Sequence, residues 1–282
     1  MKENKDPRVK FIAIQNGFRI LNGDNDLIKL LYPKTTIDIY HSNFFCFGEY
    51  DIEEYKKSGA NVKNFYPCGS LIDSYHRSKN PSRNSEIQFD ICVVSNTTSQ
   101  FTYDVPCFGA QRESFELLLG YLKNFIKLNR KTVSVACCFS ANSDAHKIEI
   151  EWLQKYLGTE VSYVPGNSKK LTSFSVSDNA DVVVGVISTL LCEAFGRGKK
   201  VLSCNYSGGS FLEFPVSGTC LLKTKGYNIF EKRLLEILGM GVDDYKELCM
   251  KPHSYLMQCS EAQPTHSVIT EFIDQHIGSN ES

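Results

Sequence analysis

The chain has 282 residues, a net charge of -1, 11 cysteines and no apolar run of membrane-spanning length. That balance gives no electrostatic reason to expect nucleic acid or an anionic membrane as the main partner. Its length allows one large or two modest domains, each able to bury a core. The cysteines are scattered, with no C-x-x-C and no histidine at zinc spacing. They read as small core residues of a reduced, cytoplasmic protein, and no metal site is expected. The polar start, Met1 to Pro7, is not followed by a signal-like apolar segment.

In chain order, Val9–Gln15 reads as a strand ending in the turn Asn16-Gly17-Phe18-Arg19. Asn and Gly tolerate the positive φ that a sharp turn needs. The turn is either an ordinary reversal or a loop presenting Gln15, Asn16, Gly17 and Arg19 at a strand's carboxyl end. Asn43–Phe47 is a short strand, Asp51–Ser58 a helix stopped by Gly59, and Val62–Tyr66 a strand closing at Pro67-Cys-Gly69-Ser70. Strand, helix and strand imply a parallel α/β layer, with Gly69 and Ser70 either a plain turn or a ligand contact. The polar segment His76–Glu86 reads as a linker between domains.

After it, Phe89–Val94 is a strand leading into the polar loop Ser95–Gln100. This is where a Rossmann-like half places its first ligand loop, but the dinucleotide pattern G-x-G-x-x-G is missing. Ala110–Leu128 is an amphipathic helix with Phe115, Leu118, Leu119, Leu122, Phe125 and Ile126 on its apolar face, and Thr132–Phe139 is a buried strand. The loop Ser140–His146 opens a helix through Glu149, Trp152 and Tyr156. His146, at that helix start beside a strand end, is the histidine most suited to a functional role, against an ordinary surface position. Val161–Val164 is a strand, and Asn167–Asp178 a polar stretch.

The run Asp181-Val-Val-Val-Gly-Val-Ile-Ser-Thr189 carries a buried strand into a turn, a helix over Leu190–Arg197, and the strand Lys200–Cys204. Such a compact parallel β-α-β unit presents Ser188 and Thr189, with free amides of the first helical turn, to a phosphate. The alternative is a plain N-cap. The loop Asn205–Ser210 is a lid or a connection, since it lacks the Lys-Ser/Thr of a phosphate loop. A strand over Gly218–Lys223 follows, with helices over Asn228–Leu238, Val242–Met250 and Thr265–Ile277 closing the second domain; Asp243 and Asp244 are expected to cap the middle one.

On Ile14–Arg19, on Phe44–Gly48 with Tyr66–Ser70, and on Ala180–Val201, the chain resembles bacterial surface-carbohydrate biosynthesis proteins related to GT-B glycosyltransferases. The resemblance spans roughly Lys10 to Asn205. It implies an α/β, GT-B-like fold of two Rossmann-like domains with mostly parallel sheets: an abbreviated N-terminal, acceptor-side domain over 1–80 and a nucleotide-sugar-binding domain over 87–282. It further implies a donor site of Ser188, Thr189, Glu193, Ser95 and His146. Gln15, Asn16, Gly17, Arg19, Gly69 and Ser70 fall on the acceptor side. Where relatives carry an arginine or His-Pro after the second strand of this domain, this chain reads Ser140-Ala-Asn-Ser-Asp144.

The activity implied is cytoplasmic, metal-independent transfer of a sugar from a CMP- or UDP-linked donor, acidic Kdo or nonulosonate sugars included, to a glycan or lipid-linked glycan. No cofactor, nucleic acid or transmembrane segment is expected, and peripheral membrane association stays open. A non-catalytic nucleotide-sugar-binding or assembly subunit is the alternative, and a sugar-nucleotide epimerase a third. No residue stands out as the catalytic base.

Overall fold

A computed structural model describes residues 11–17, 40–80, 87–97, 106–260 and 262–277. Two compact units are present: 1–81 with 253–282, and 82–252.

The described part of the first unit holds a parallel sheet in the order β1 (Ile12–Ile14), β2 (Tyr40–Cys46), β3 (Asn61–Pro67). Alternation along β2 sends side chains to both faces. Phe44 and Cys46 pack with Ile52 and Tyr55 of α1 (Glu49–Lys57), while Phe45 packs on the opposite face with Cys68, Ile269 and Phe272. The helix α2 (Leu71–Lys79) follows β3. It takes in His76–Lys79, so the linker begins later than its composition indicates, because the Ser70 hydroxyl caps the helix by accepting from Asp73 N (3.2 Å).

The face of β2 and β3 turned away from α1 explains a correction to the expected domains. The sequence pattern places 253–282 with the second domain, yet α9 (His253–Leu256) and α10 (Thr265–Ile277) belong to the first unit. The Phe272 ring lies 5.3 Å from that of Phe45 and 5.2 Å from that of Tyr66, covering aromatic surface that would otherwise meet water.

The second unit is a six-stranded parallel sheet, ordered β6 (Ser162–Val164), β5 (Val133–Ala136), β4 (Phe89–Val94), β7 (Ala180–Gly185), β8 (Lys200–Cys204), β9 (Leu221–Leu222). Its central strands are largely buried, with a β-branched run in β7, because helices cover both faces. The helices α3 (Pro106–Asn129) and α4 (Asp144–Leu157) pack together, joined by stacking of Phe115 on Trp152. The helices α5 (Thr172–Asp178) and α6 (Thr189–Gly196) form the other pair. Arg197 ties them by donating from Nε to Asp178 Oδ1 (2.9 Å) and from an Nη to Ser177 Oγ (2.9 Å). The α5 helix fell in a stretch read as merely polar: its serines satisfy helix carbonyls, as when Ser177 Oγ donates to Phe174 O (2.8 Å).

Toward the end of this unit lie α7 (Tyr227–Gly239) and α8 (Val242–Glu247). Gly241 is the N-cap of α8, and Asp243 and Asp244 occupy its first turn, favouring the helix through its dipole instead of capping it. Lys200, at 3% exposure, is tolerated inside β8 because its ammonium reaches Asp181 Oδ1 (2.9 Å) and donates to Met240 O (3.0 Å).

Candidate functional site

The chain of the second unit runs from β4 outward to β5 and β6, then returns to place β7 on the other side of β4. The carboxyl ends of β4 and β7 therefore flank a topological switch point, where open parallel sheets take their ligands because the loops diverge. The two loops are joined there: Asn96 Nδ2 donates to Ile187 O (3.0 Å). Next to Ile187, Ser188 is the N-cap of α6, its Oγ accepting from Leu190 N (3.2 Å). The capping reading of Ser188 holds, and its half-buried hydroxyl keeps a proton to donate. Thr189 opens the helix, and Glu193, 4% exposed, lies one turn on.

Beside the switch point, the loops after β4 and β5 close on one carboxylate (Glu149). Glu149 is fully buried on α4 and accepts from Ser95 Oγ (2.7 Å), Thr97 Oγ1 (2.7 Å), Cys138 N (2.8 Å) and Phe139 N (3.1 Å). Four donors from two loops offset the cost of burying the charge. Two expected donor contacts converge on it. Ser95 commits its proton to Glu149 and is 4% exposed, so it organises the site from beneath and does not face a ligand. His146 lies on the same helix with its Nδ1 3.5 Å from Glu149 Oε2. The buried thiol of Cys137 completes a group whose ligand atoms all lie within 4.8 Å of one another. Burial, and then the Glu149 carboxylate, push that thiol well above its ordinary pKa.

Glu149 and Asn96 were not picked out by sequence reasoning. The signal for Glu149 was present: Glu149, Leu153 and Leu157 form the buried stripe of α4, and a carboxylate in an apolar stripe requires buried donors. The loop Asn205–Ser210 is tied to itself, since Asn205 Nδ2 donates to Gly209 O (2.8 Å) and Ser207 Oγ to Asn205 Oδ1 (2.9 Å).

The expected acceptor-side residues fare differently in the first unit. Gln15 is buried and turned inward, its Nε2 donating to Asp51 Oδ1 (2.9 Å) and to Gly17 O (3.2 Å). Asp51 also accepts from Gly48 N (3.2 Å); burial raises its carboxyl to about 6 against these hydrogen bonds. Asn16 is exposed and Gly17 half-buried at the end of β1, and Arg19 lies outside the described residues. Gly69 and Ser70 are used by the chain itself. With φ +84, Gly69 adopts a backbone that favours glycine, and a Cβ there would stand 2.2 Å from Gln258 O. Thr265 Oγ1 donates to Cys68 O (2.6 Å), and Ser70 is buried beneath this returning segment.

The fold and the switch-point site define an α/β protein of GT-B-like class, built of Rossmann-like units with parallel sheets. Among solved structures, the fold is similar to a "putative UDP-N-acetylglucosamine 2-epimerase" of Listeria monocytogenes, with TM-score 0.51 and 12% identity over 96% of this chain and 68% of that one. Sucrose-phosphate synthase of Thermosynechococcus elongatus (TM-score 0.47, 15% identity, 91% of this chain) and the wall teichoic acid polymerase TagF (0.48, 9%, 99%) also match. The chain spans 63% of the synthase's length and 70% of the polymerase's. No curated protein matches the chain. A family model described as "putative O-antigen biosynthesis protein" matches residues 12–213, and the chain belongs to that family. Among the described residues no helix is long and apolar enough to cross a membrane.

Proposed function

We propose that this chain is a cytoplasmic glycosyltransferase of O-antigen assembly. It moves a sugar from a CMP- or UDP-linked donor to a glycan or lipid-linked glycan acceptor. The observation that carries this reading is the switch point: the N-terminus of α6 and the Ser188 hydroxyl stand at the carboxyl end of β7, next to a loop tethered by Asn96. Helix amides and hydroxyl donors match the charge that develops on a departing nucleotide phosphate, so the transfer routes no step through a metal. Thr189 adds a hydroxyl beside Ser188 at the start of the same helix. His146 supplies an imidazole at the start of α4, beside the adjoining loop.

The test is donor turnover. CMP-Kdo, a CMP-nonulosonate and UDP-hexoses would each be incubated with the purified chain and a lipopolysaccharide-core or lipid-linked acceptor, with products read by mass spectrometry. One donor is expected to be consumed with glycan extension, and replacing Ser188 and Thr189 together by Ala to slow it about 100-fold. Nucleotide binding with no turnover of any donor would overturn the enzyme reading in favour of a binding subunit.

A further inference from the structure

The sequence offers no cysteine and histidine at zinc spacing, yet the fold assembles a ligand set from two separated segments. Cys137 is the first residue past β5; His146 and Glu149 lie in the first turns of α4. Their ligand atoms all lie within 4.8 Å of one another, and Nδ1 of His146 is 3.5 Å from Glu149 Oε2. Two ligands bound tetrahedrally to zinc stand about 3.3–3.6 Å apart, so the histidine and carboxylate already have the required spacing and the thiol needs a shift of at most about 1 Å.

Two further observations single the group out from an ordinary buried cluster. His146 Nδ1 is a buried nitrogen with no hydrogen-bond partner, aimed at this group from a side chain only 12% exposed. The carboxylate is supported as a metal-ligating carboxylate is: Oε1 takes Ser95, Thr97 and Cys138, and Oε2, with the single donor Phe139 N, keeps a lone pair for a cation.

We propose that Cys137, His146 and Glu149 bind a single divalent cation of zinc type, with the fourth position left to water. A thiolate and an imidazole select a borderline-soft cation over magnesium or calcium. Binding exchanges the thiol S–H bond for an S–metal bond and releases that proton to solvent, with no change of oxidation state. The cation fastens the end of β5 to the start of α4. Coordination through Nδ1 leaves the Nε2 of His146 protonated and able to donate to a ligand, so the site does not depend on the nucleotide reading.

Cobalt(II) titration of the reduced, chelator-treated full-length chain tests the proposal. The expected result is uptake of one equivalent, with tetrahedral d–d bands and a thiolate-to-cobalt charge-transfer band that zinc abolishes. Cys137→Ser is expected to remove the charge-transfer band, His146→Ala to weaken uptake at least tenfold, and Cys138→Ser, on the neighbouring exposed thiol, to change neither. Circular dichroism on each variant confirms folding. Absence of stoichiometric uptake, or a charge-transfer band that survives Cys137→Ser, would overturn the site. Nucleotide titration of the same samples reads the other proposal separately.

Discussion

At the scale of single residues, Glu149 does the most to shape the site. Its carboxylate is the common acceptor for the loops after β4 and β5, so removing it leaves four donors to find other partners in a buried space. Leaving even one or two buried donors unsatisfied costs about 1–3 kcal/mol each. Glu149→Ala is therefore expected to lower stability in urea by about 3 kcal/mol or more. Glu149→Gln, which keeps an acceptor but turns an NH2 group toward a donor, is expected to cost about 2 kcal/mol. A loss below about 0.5 kcal/mol for the alanine variant would show that the network is slack.

Asp51 gives a second prediction at this scale, in pH. Its folded carboxyl titrates at about 6, above the ordinary 3.8, because burial disfavours its charge. The native state holds this proton more tightly than the unfolded chain. The contribution is therefore fully present below pH 3.8, declines as pH rises, and levels off above about 6. The amplitude is about 3 kcal/mol. Asp51→Asn is expected to flatten this segment of the pH–stability curve of the first unit, measured by chemical denaturation between pH 4 and 7. An unchanged slope would exclude Asp51 as its source.

At the scale of elements, the returning C-terminal segment explains two glycines. Gly48 and Gly69 end β2 and β3 where residues 255–258 pass, and a Cβ on Gly48 would stand 2.5 Å from Tyr255 O. Gly69→Ala combines that clash with a left-handed backbone, a cost of about 1–3 kcal/mol. It is expected to loosen α10 enough that limited proteolysis cuts ahead of Thr265 in the variant and not in the wild type. Identical digestion patterns would contradict the packing described for Gln258.

The regular elements of the second unit were legible because their signals are local: a β-branched run for β7, short apolar runs for β4 and β8, and an apolar helical stripe for α3. The ends of Phe89–Val94, Lys200–Cys204 and Thr265–Ile277 follow from composition alone. What composition could not supply was which sheet each element joins. The α10 helix carries the same amphipathic signal whichever sheet it covers, and only the aromatic face of Phe45 and Tyr66 decides the matter. The candidate site divides in the same way. Ser188 and Thr189 follow from a strand-turn-helix pattern. The roles of Ser95 and Glu149 depend on contacts across 54 positions, and the inward turn of Gln15 on a partner 36 positions away.

At the scale of the whole molecule, 253–282 fall in the first unit. Deleting them uncovers the Phe45 and Cys68 face and is expected to lower the unfolding transition of that unit, while the second unit, with its own six-stranded sheet, keeps its melting temperature. Loss of both transitions together would show that the units do not fold independently.

Membership of an O-antigen biosynthesis family and the switch-point geometry of α6 lead to one central claim, that the second unit holds a nucleotide-linked sugar at Ser188 and Thr189. Isothermal titration of the intact chain with CMP, UDP and GDP tests it most directly. The predicted result is saturable binding of CMP or UDP that weakens about tenfold or more when both residues are replaced by Ala, the size expected from losing one or two charge-assisted hydrogen bonds. Binding of none of the three nucleotides, or binding unchanged in the double variant, would contradict it.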